Sequence, residues 1–183
     1  MKINLGCGLD KKEGYIGIDR IKLKGVDIIC NLEEGLPFKD NSINNIYTSH
    51  VLEHINNLIG LMEEIWRICK PDSIIKIIVP YFACSGNFGD ITHVRSFTTQ
   101  SFEYFGEDNR FNYYSHARFK ILKRKIWMFS PDISNEFWYA KLLSKIFTPL
   151  INIFPTLYEV AFCFILPSRE LRVTLEVIKN GNV

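Results

Sequence analysis

Residues that could carry out chemistry occur at a few places along this sequence. Gly6 and Gly8 follow a short apolar stretch, and Asp19 ends the next one. Histidines come later, in segments 50–54 and 92–97. Two glycines after a buried strand allow a sharp turn and a close approach of a ligand to the main chain. A carboxylate accepts hydrogen bonds, and a histidine can take a proton near neutral pH. We therefore predict a ligand site that begins at Gly6.

The order of apolar stretches predicts the elements that would position these residues. Short links between strands, with a covering helix, are typical of a parallel α/β sheet. Helix 56–69 is predicted from apolar residues that recur every three or four positions, and Lys70-Pro71-Asp72 is expected to end it. Shorter helical pieces are predicted at 99–105 and on both sides of Pro155 within 135–166. The predicted strands are 2–5, 15–18, 26–30, 43–48, 74–79, 119–129 and 171–177.

These elements predict an α/β fold with a mostly parallel seven-stranded sheet. Only six residues separate Gly8 from Tyr15, too few for a full crossover helix. The helix after the first strand is therefore expected to be shortened, which would leave the ligand pocket more open on that side. We expect one domain, residues 1–183. Residues 1–80 would bind a cofactor, and residues 81–183 would face a substrate.

Composition limits the classes of function. The chain has 183 residues, 47% hydrophobic and 23% charged, which is typical of a globular protein. A net charge of +2 argues against a nucleic acid partner. Five scattered cysteines without a C-x-x-C pair predict neither disulfides nor a zinc site, and favour a reducing, cytoplasmic location. The sequence contains no apolar signal region and no run long enough for a transmembrane helix.

The glycine pair has two competing interpretations. A dinucleotide site needs a third glycine three positions after Gly8, but that position is Lys11. Asp19 also comes too early for the acidic residue of such a site. A nicotinamide or flavin cofactor is therefore disfavoured.

Several motifs in a fixed order carry a more specific resemblance. Leu5-Gly6-Cys7-Gly8 is followed by Asp19, by Asn31 and then by Leu36-Pro37-Phe38-x-Asp40-Asn41-Ser42 and His50-Val51-Leu52-Glu53-His54. This arrangement resembles the class I S-adenosylmethionine-dependent methyltransferases, in particular small single-domain members that act on sugars and small metabolites. The resemblance covers about residues 2–105 by motif, and the last strand by pattern.

The resemblance implies a three-layer, Rossmann-like methyltransferase fold in which the last strand is antiparallel. It also implies S-adenosylmethionine as the cofactor and assigns roles to the matching residues. Asp19 would accept hydrogen bonds from the ribose hydroxyls, and Asn31 would lie beside the adenine. Asn4 and Asp10 depart from the family pattern, where an acidic residue and a third glycine are common. The cofactor-binding residues implied are Leu5, Gly6, Cys7, Gly8, Asp19, Arg20, Asn31, Leu32, His50 and Val51.

On the substrate side, Thr92-His93-Val94-Arg95 follows the fifth strand. We predict that His93 is a base or a substrate contact, and that Tyr81 and Arg95 contact substrate. His50 and His54 do not form a His-Glu-x-x-His pattern, so no metal is expected.

The predicted function is methyl transfer to a small-molecule acceptor, a hydroxyl or carboxyl of a sugar or metabolite. The alternative is a catalytically silent domain of the same fold that binds a cofactor or partner, which Asn4 and the shortened helix favour. The apolar segment 137–166 is left open between internal packing, a homodimer face and peripheral contact with a membrane.

Overall fold

A computed structural model describes residues 1–130 and 138–179 of the chain. Seven strands form one sheet, and the predicted strands are all present. The predicted start of the late helical segment, residues 135–137, lies outside the described residues. The strands are β1 (Lys2–Leu5), β2 (Ile16–Asp19), β3 (Ile28–Ile29), β4 (Ile43–Ser49), β5 (Cys69–Pro80), β6 (Phe119–Trp127) and β7 (Glu170–Val177).

The strand order is β3-β2-β1-β4-β5-β7-β6. Strands β1 to β5 pair in parallel, and β7 inserts between β5 and β6, antiparallel to both. The predicted antiparallel last strand is therefore confirmed. Because β1 lies between β2 and β4, the chain first continues to β2 and β3 on one side of β1. It then crosses to β4 and β5 on the other side. In open α/β sheets, ligands bind at such a switch point, beyond the carboxyl ends of the strands.

Helices flank the sheet only in part of the chain. In α1 (Leu58–Ile68), Leu61, Met62 and Ile65 are buried, as the three- and four-residue spacing predicts. The later helices confirm two helical pieces separated by Pro155. No described helix combines the length and apolar character needed to cross a membrane. The other α-helices are α2 (Ser85–Gly89), α3 (Trp138–Ile153) and α4 (Pro155–Leu157), which continues into a π-helical turn at Tyr158–Phe162.

The link between β1 and β2, residues 6–15, contains turns and no helix, in line with the six residues that separate Gly8 from Tyr15. The side chain of Asn4 holds this link in place. Its Oδ1 accepts the backbone N–H of Lys12 at 2.9 Å, and the asparagine is 2% exposed. The hydrogen bond to the buried Asn4 side chain thus holds the loop against β1, where no helix is present to do so.

Two boundaries differ from prediction. Strand β5 begins at Cys69, directly after α1, because Cys69 already pairs with Ile43. The next pair joins Asn45 to Ile74, so residues 70–73 bulge out of the ladder, where Ser73 donates to the Ile43 carbonyl at 2.9 Å. Strand β3 is shorter than predicted.

Arg67 at the end of α1 ties the loop before β4 to the helix. Its guanidinium donates to the carbonyl oxygens of Leu36 and Phe38 at 3.1 and 2.9 Å. It also pairs with both oxygens of Glu64, at 2.7 and 2.8 Å. Glu64 in turn accepts the N–H of Leu36 at 2.9 Å. The hydrogen bonds from Arg67, together with the one from Leu36, hold the pKa of the Glu64 carboxyl below its ordinary value.

This network predicts an acid-dependent loss of stability. A carboxyl whose pKa is lower in the folded state stabilises the fold above its unfolded pKa, and that contribution disappears as the pH falls through the folded pKa. Glu64→Gln should cost about 1–2 kcal/mol of unfolding free energy at pH 7. It should also flatten the fall in stability below about pH 4.5. Urea unfolding from pH 7 to pH 3 measures both. Glu13→Gln, on the exposed first loop, is the control. Equal pH profiles for the two variants would contradict the assignment.

Candidate functional site

The turn after β1 is built on two glycines with left-handed backbone. Gly6 has φ +58° and Gly8 has φ +50°. A Cβ on Gly6 would lie 2.3 Å from Val51 Cγ2, whereas a Cβ on Gly8 would meet no atom within 4 Å. Gly6 therefore lets the segment after β4 lie directly against this turn. Gly8 faces open space, where a ligand could approach the main chain.

Asp19 connects this turn to the end of β2. Its Oδ2 accepts the backbone N–H of Gly8 at 2.9 Å, and its Oδ1 accepts that of Ile21 at 3.0 Å. A carboxylate has about four acceptor positions, so each oxygen keeps a free lone pair. Asp19 thus shapes the site and can still accept hydrogen bonds from a ligand.

A cavity of about 380 Å³ lies beside Asp19 and contains most of the residues predicted to hold the adenosine half of a cofactor. Asn31 forms a turn there: its Oδ1 accepts the N–H of Glu33 at 3.2 Å, and its Nδ2 donates to Glu34 at 2.7 Å. Its side chain both forms the turn and lines the cavity. The cavity is lined by Gly6, Asp19, Arg20, Asn31, Leu32, Glu33, His50, Val51, His54, Ile55 and Thr92.

A second cavity of about 770 Å³ adjoins the glycine turn. Gly6 and His50 line both cavities, so the two meet at these residues. Asp10 gives the second cavity a carboxylate that suits an ammonium group, whereas Glu170 is paired with Arg172 at 2.7 Å and with His50 at 3.7 Å. Its lining is Asn4, Gly6, Cys7, Gly8, Leu9, Asp10, Tyr47, Ser49, His50, Ile78, Glu170 and Arg172.

A third cavity of about 410 Å³ lies on the other side of His50. It contains His93, the predicted base or substrate contact, together with several ionisable groups. His50 is common to all three cavities. The third cavity is lined by His50, Glu53, His54, Pro80, Cys84, Gly86, Asp90, His93, Ser130, Arg169 and Glu170.

His50 lies between two acidic side chains. Its Nε2 is 3.7 Å from Glu170 Oε1, and its Nδ1 is 3.4 Å from Glu53 Oε1. Glu170 first, and Glu53 second, raise the pKa of His50 to about 9. Burial alone would raise the pKa of Glu170, but His50 and Arg172 outweigh burial and hold it below its ordinary value. His50 therefore carries a positive charge at neutral pH where the three cavities meet.

Glu53 is the most unusual acidic residue of the site. It is fully buried, and neither carboxylate oxygen has a hydrogen-bond partner among the described residues. His93 Nε2 lies 4.0 Å from Glu53 Oε1, and the rings of His93 and His54 meet edge to face with centroids 4.7 Å apart. The sequence spacing of His50 and His54 did not indicate this cluster, because His93 comes from a different loop.

Three predicted residues do not line these cavities. The side chains of Leu5 and Tyr81 are fully buried in the core. Tyr81 stacks on Tyr158 with centroids 6.1 Å apart. Arg95 donates to the carbonyl oxygens of Ile55 and Asn56 at 2.6 and 2.7 Å, so it holds the segment that leads into α1. The structure gives Tyr81 and Arg95 packing and anchoring positions, and leaves Leu5 only its backbone for a ligand.

Sequence reasoning missed Glu170 and gave Glu53 no role. Glu53 stands inside a motif that was recognised, and its burial could be inferred only from the fold. Glu170 begins the last strand and has no motif around it. It reaches His50 only because β7 inserts next to β5.

Comparisons with known proteins agree with this arrangement. Residues 5–77 match the protein-family model described as "Methyltransferase domain". A search of the curated proteins found no match to the sequence.

Solved structures share the fold over nearly the whole chain. One is the YcgJ protein of Bacillus subtilis, with TM-score 0.60, 13% identity, and coverage of 98% of this chain and 92% of that one. Another is a SAM-dependent methyltransferase of Archaeoglobus fulgidus, with TM-score 0.60, 17% identity, and coverage of 96% and 85%. A third is an S-adenosylmethionine-dependent methyltransferase of Mesorhizobium loti, with TM-score 0.57, 10% identity, and coverage of 96% and 89%. The domain match and the fold together imply S-adenosylmethionine as the cofactor.

The glycine turn yields a prediction with an internal control. Gly6→Ala should destabilise the protein by roughly 2–4 kcal/mol, because a methyl group there both strains the backbone and collides with Val51. Gly8→Ala has the same backbone strain without the collision and should cost only about 1–2 kcal/mol. Denaturant unfolding measures both. Equal losses would show that Val51 does not press on this turn.

Proposed function

We propose that this chain, whose residues 5–77 match a methyltransferase domain model, transfers a methyl group from S-adenosylmethionine to an oxygen of a small-molecule acceptor. The acceptor group would be a hydroxyl or a carboxyl of a sugar or metabolite. One observation carries the proposal: two cavities built on the glycine turn and Asp19 meet a third, acceptor-side cavity at His50. The methyl group and its acceptor would meet near His50.

The cofactor would span the first two cavities. Asp19 and Asn31 would bind the ribose and adenine in the smaller cavity, with Arg20, Leu32 and Val51 around them. The main chain at 5–8 would lie against the methionine half. Asp10 in the larger cavity would supply a carboxylate for the ammonium group, a role that Asn4 cannot take because its side chain is an uncharged amide.

The acceptor would occupy the third cavity. In the transfer, an O–CH₃ bond forms as the S–CH₃ bond breaks, and its electron pair stays on sulfur. The sulfonium is a good leaving group, so the chain's main contributions are alignment and exclusion of water. A hydroxyl acceptor must also lose a proton, and His93 is placed in this cavity to take it or to orient the group.

The competing interpretation is a silent domain that binds the cofactor without turnover. Titration calorimetry with S-adenosylmethionine, followed by incubation of protein and labelled cofactor with small-molecule extract fractions, separates the two. Methyl transfer to a small molecule supports the proposal. Binding without transfer to any fraction supports the silent domain, and absence of binding at millimolar cofactor contradicts the enzyme and leaves a silent domain that binds a partner.

The ribose assignment is tested with two matched aspartates. Asp27 Oδ2 accepts the N–H of Gly17 at 2.7 Å, much as Asp19 accepts that of Gly8, but Asp27 lines none of the three cavities. Asp19→Asn should weaken S-adenosylmethionine binding by roughly 1–3 kcal/mol, because an amide is a poorer acceptor than a carboxylate. Asp27→Asn should leave binding within about twofold of wild type by calorimetry. A dissociation constant for Asp19→Asn equal to that of wild type would show that Asp19 does not bind the ribose.

We also propose that the apolar surface of α3 contacts a second copy of this chain. The positions Trp138, Leu142, Ile146, Leu150 and Ile153 recur at helical spacing, and each is about half exposed or more. The opposite face of α3 is buried. A two-sided apolar helix with few charges is typical of the core of an interface.

The introduction of charged residues into that surface tests the dimer. The wild-type protein should have the mass of a dimer by light scattering, and the double variant Leu142→Glu/Leu150→Glu should be a monomer with a melting temperature close to that of the dilute wild type. Leu122→Glu, at a leucine 46% exposed on β6, is the control and should stay dimeric. A monomeric wild type that co-sediments with anionic lipid vesicles would instead assign this surface to a membrane.

A further inference from the structure

We propose that Glu53, His54 and His93 bind one divalent first-row transition-metal ion on the acceptor side of His50. One carboxylate oxygen and one ring nitrogen from each histidine all lie within 4.8 Å of one another. The three residues come from two loops that the sheet brings together at its carboxyl edge. Nothing in the cofactor-binding role requires this cluster.

The first argument is the unsatisfied carboxylate of Glu53. Its side chain is fully buried, and both oxygens lack hydrogen-bond partners among the described residues. Burying a charged group without partners is costly, and native proteins almost always compensate it. His50 approaches Glu53 Oε1 at 3.4 Å and His93 approaches it at 4.0 Å, but neither contact is a hydrogen bond. A bound cation would supply the missing compensation.

The second argument is the orientation of His93. Its Nδ1 lies 2.9 Å from the backbone carbonyl oxygen of Asn87. A carbonyl only accepts, so Nδ1 carries the proton and donates, and Nε2 of the neutral ring keeps its lone pair. Nε2 is the nitrogen 4.0 Å from Glu53. Histidines that bind metals are fixed in this way by a hydrogen bond from their other ring nitrogen.

The third argument is that His54 is held in the same tautomer through a chain of hydrogen bonds. The hydroxyl of Thr92 donates to Asp90 Oδ1 at 2.6 Å. Its single proton is therefore used, and the 2.9 Å contact between Thr92 Oγ1 and His54 Nδ1 has the histidine as donor. His54 Nε2 then keeps a lone pair. In both neutral rings, Nε2 is therefore unprotonated and able to bind a metal ion.

The set of donors selects the class of ion. Two imidazoles and one carboxylate suit Zn²⁺, Fe²⁺, Co²⁺ or Ni²⁺, whereas Ca²⁺ and Mg²⁺ prefer oxygen ligands alone. Ligand atoms about 2.0–2.2 Å from one ion lie roughly 3–3.5 Å apart, so binding would draw these side chains closer by up to about 1.5 Å.

Three protein ligands leave coordination positions open toward the 410 Å³ cavity. An oxygen of the acceptor could bind there, where the ion would favour its ionised form. This use of the ion rests on the proposed function. His93 would then hold the ion, and the proton lost by the acceptor would pass through water in the open cavity to solvent. Binding of the metal alone does not depend on that function.

The test is calorimetric titration of chelator-treated full-length protein with Zn²⁺ alone, supported by the absorption spectrum of bound Co²⁺. Wild type should bind one equivalent. Glu53→Gln and His93→Gln should each lower the affinity at least 100-fold, and Thr92→Val should lower it about 10- to 100-fold through the His54 ring. His116→Gln is the matched control. It removes the histidine of another His–Glu contact, 3.2 Å from Glu63 and outside the cavities, and should leave zinc affinity unchanged.

The absence of a saturable zinc site in wild type would overturn the proposal, as would unchanged affinity in both Glu53→Gln and His93→Gln. Thermal melts identify any variant that fails to fold. If Glu53→Gln does not fold, His93→Gln and Thr92→Val decide, because both lie in the loop after β5. Titration of the same samples with S-adenosylmethionine keeps the two proposals distinguishable: cofactor binding without zinc binding defeats only the metal site, and the reverse defeats only the cofactor.

Discussion

The contact between Gly6 and Val51 is the constraint on which the rest of the site depends. With no side chain on Gly6, the segment after β4 lies directly on the turn after β1. This contact brings His50 to the boundary of all three cavities, and it places Glu53 in the lining of the third cavity. A methyl group at Gly6 would push the two loops apart and separate the groups that must meet there.

Charge is distributed unevenly around that contact. His50 is held positive by Glu170 and Glu53, which are both buried. Its charge compensates part of the cost of burying those carboxylates, but it makes no hydrogen bond to Glu53. The site therefore combines a fixed positive group, which suits an oxygen acceptor that becomes negative, with a buried carboxylate that still needs a cation. The proposed metal and the proposed acceptor chemistry both follow from this imbalance.

The loop after β1 is held in a defined position although it contains no helix. Asn4 and Asp19 each accept a backbone N–H from that loop, at Lys12 and at Gly8. These hydrogen bonds take over the positioning that a crossover helix would otherwise provide. The departure of Asn4 from the family pattern thus has a structural reason within this chain, because its side chain holds the loop.

The family resemblance predicted the antiparallel last strand, while local patterns in the sequence were sufficient to predict the strands, α1, the shortened first link and the glycine turn. Those features depend on neighbouring residues, through the period of apolar side chains, the conformations open to glycine and the length of a link. Only the tertiary structure decided that Tyr81 is buried in the core, that Arg95 anchors a loop and that Glu170 lies beside His50. It also brought His93 to Glu53 and His54. These contacts join residues from separate loops and strands, and their distances are set by the packing of the whole sheet, which no local pattern encodes.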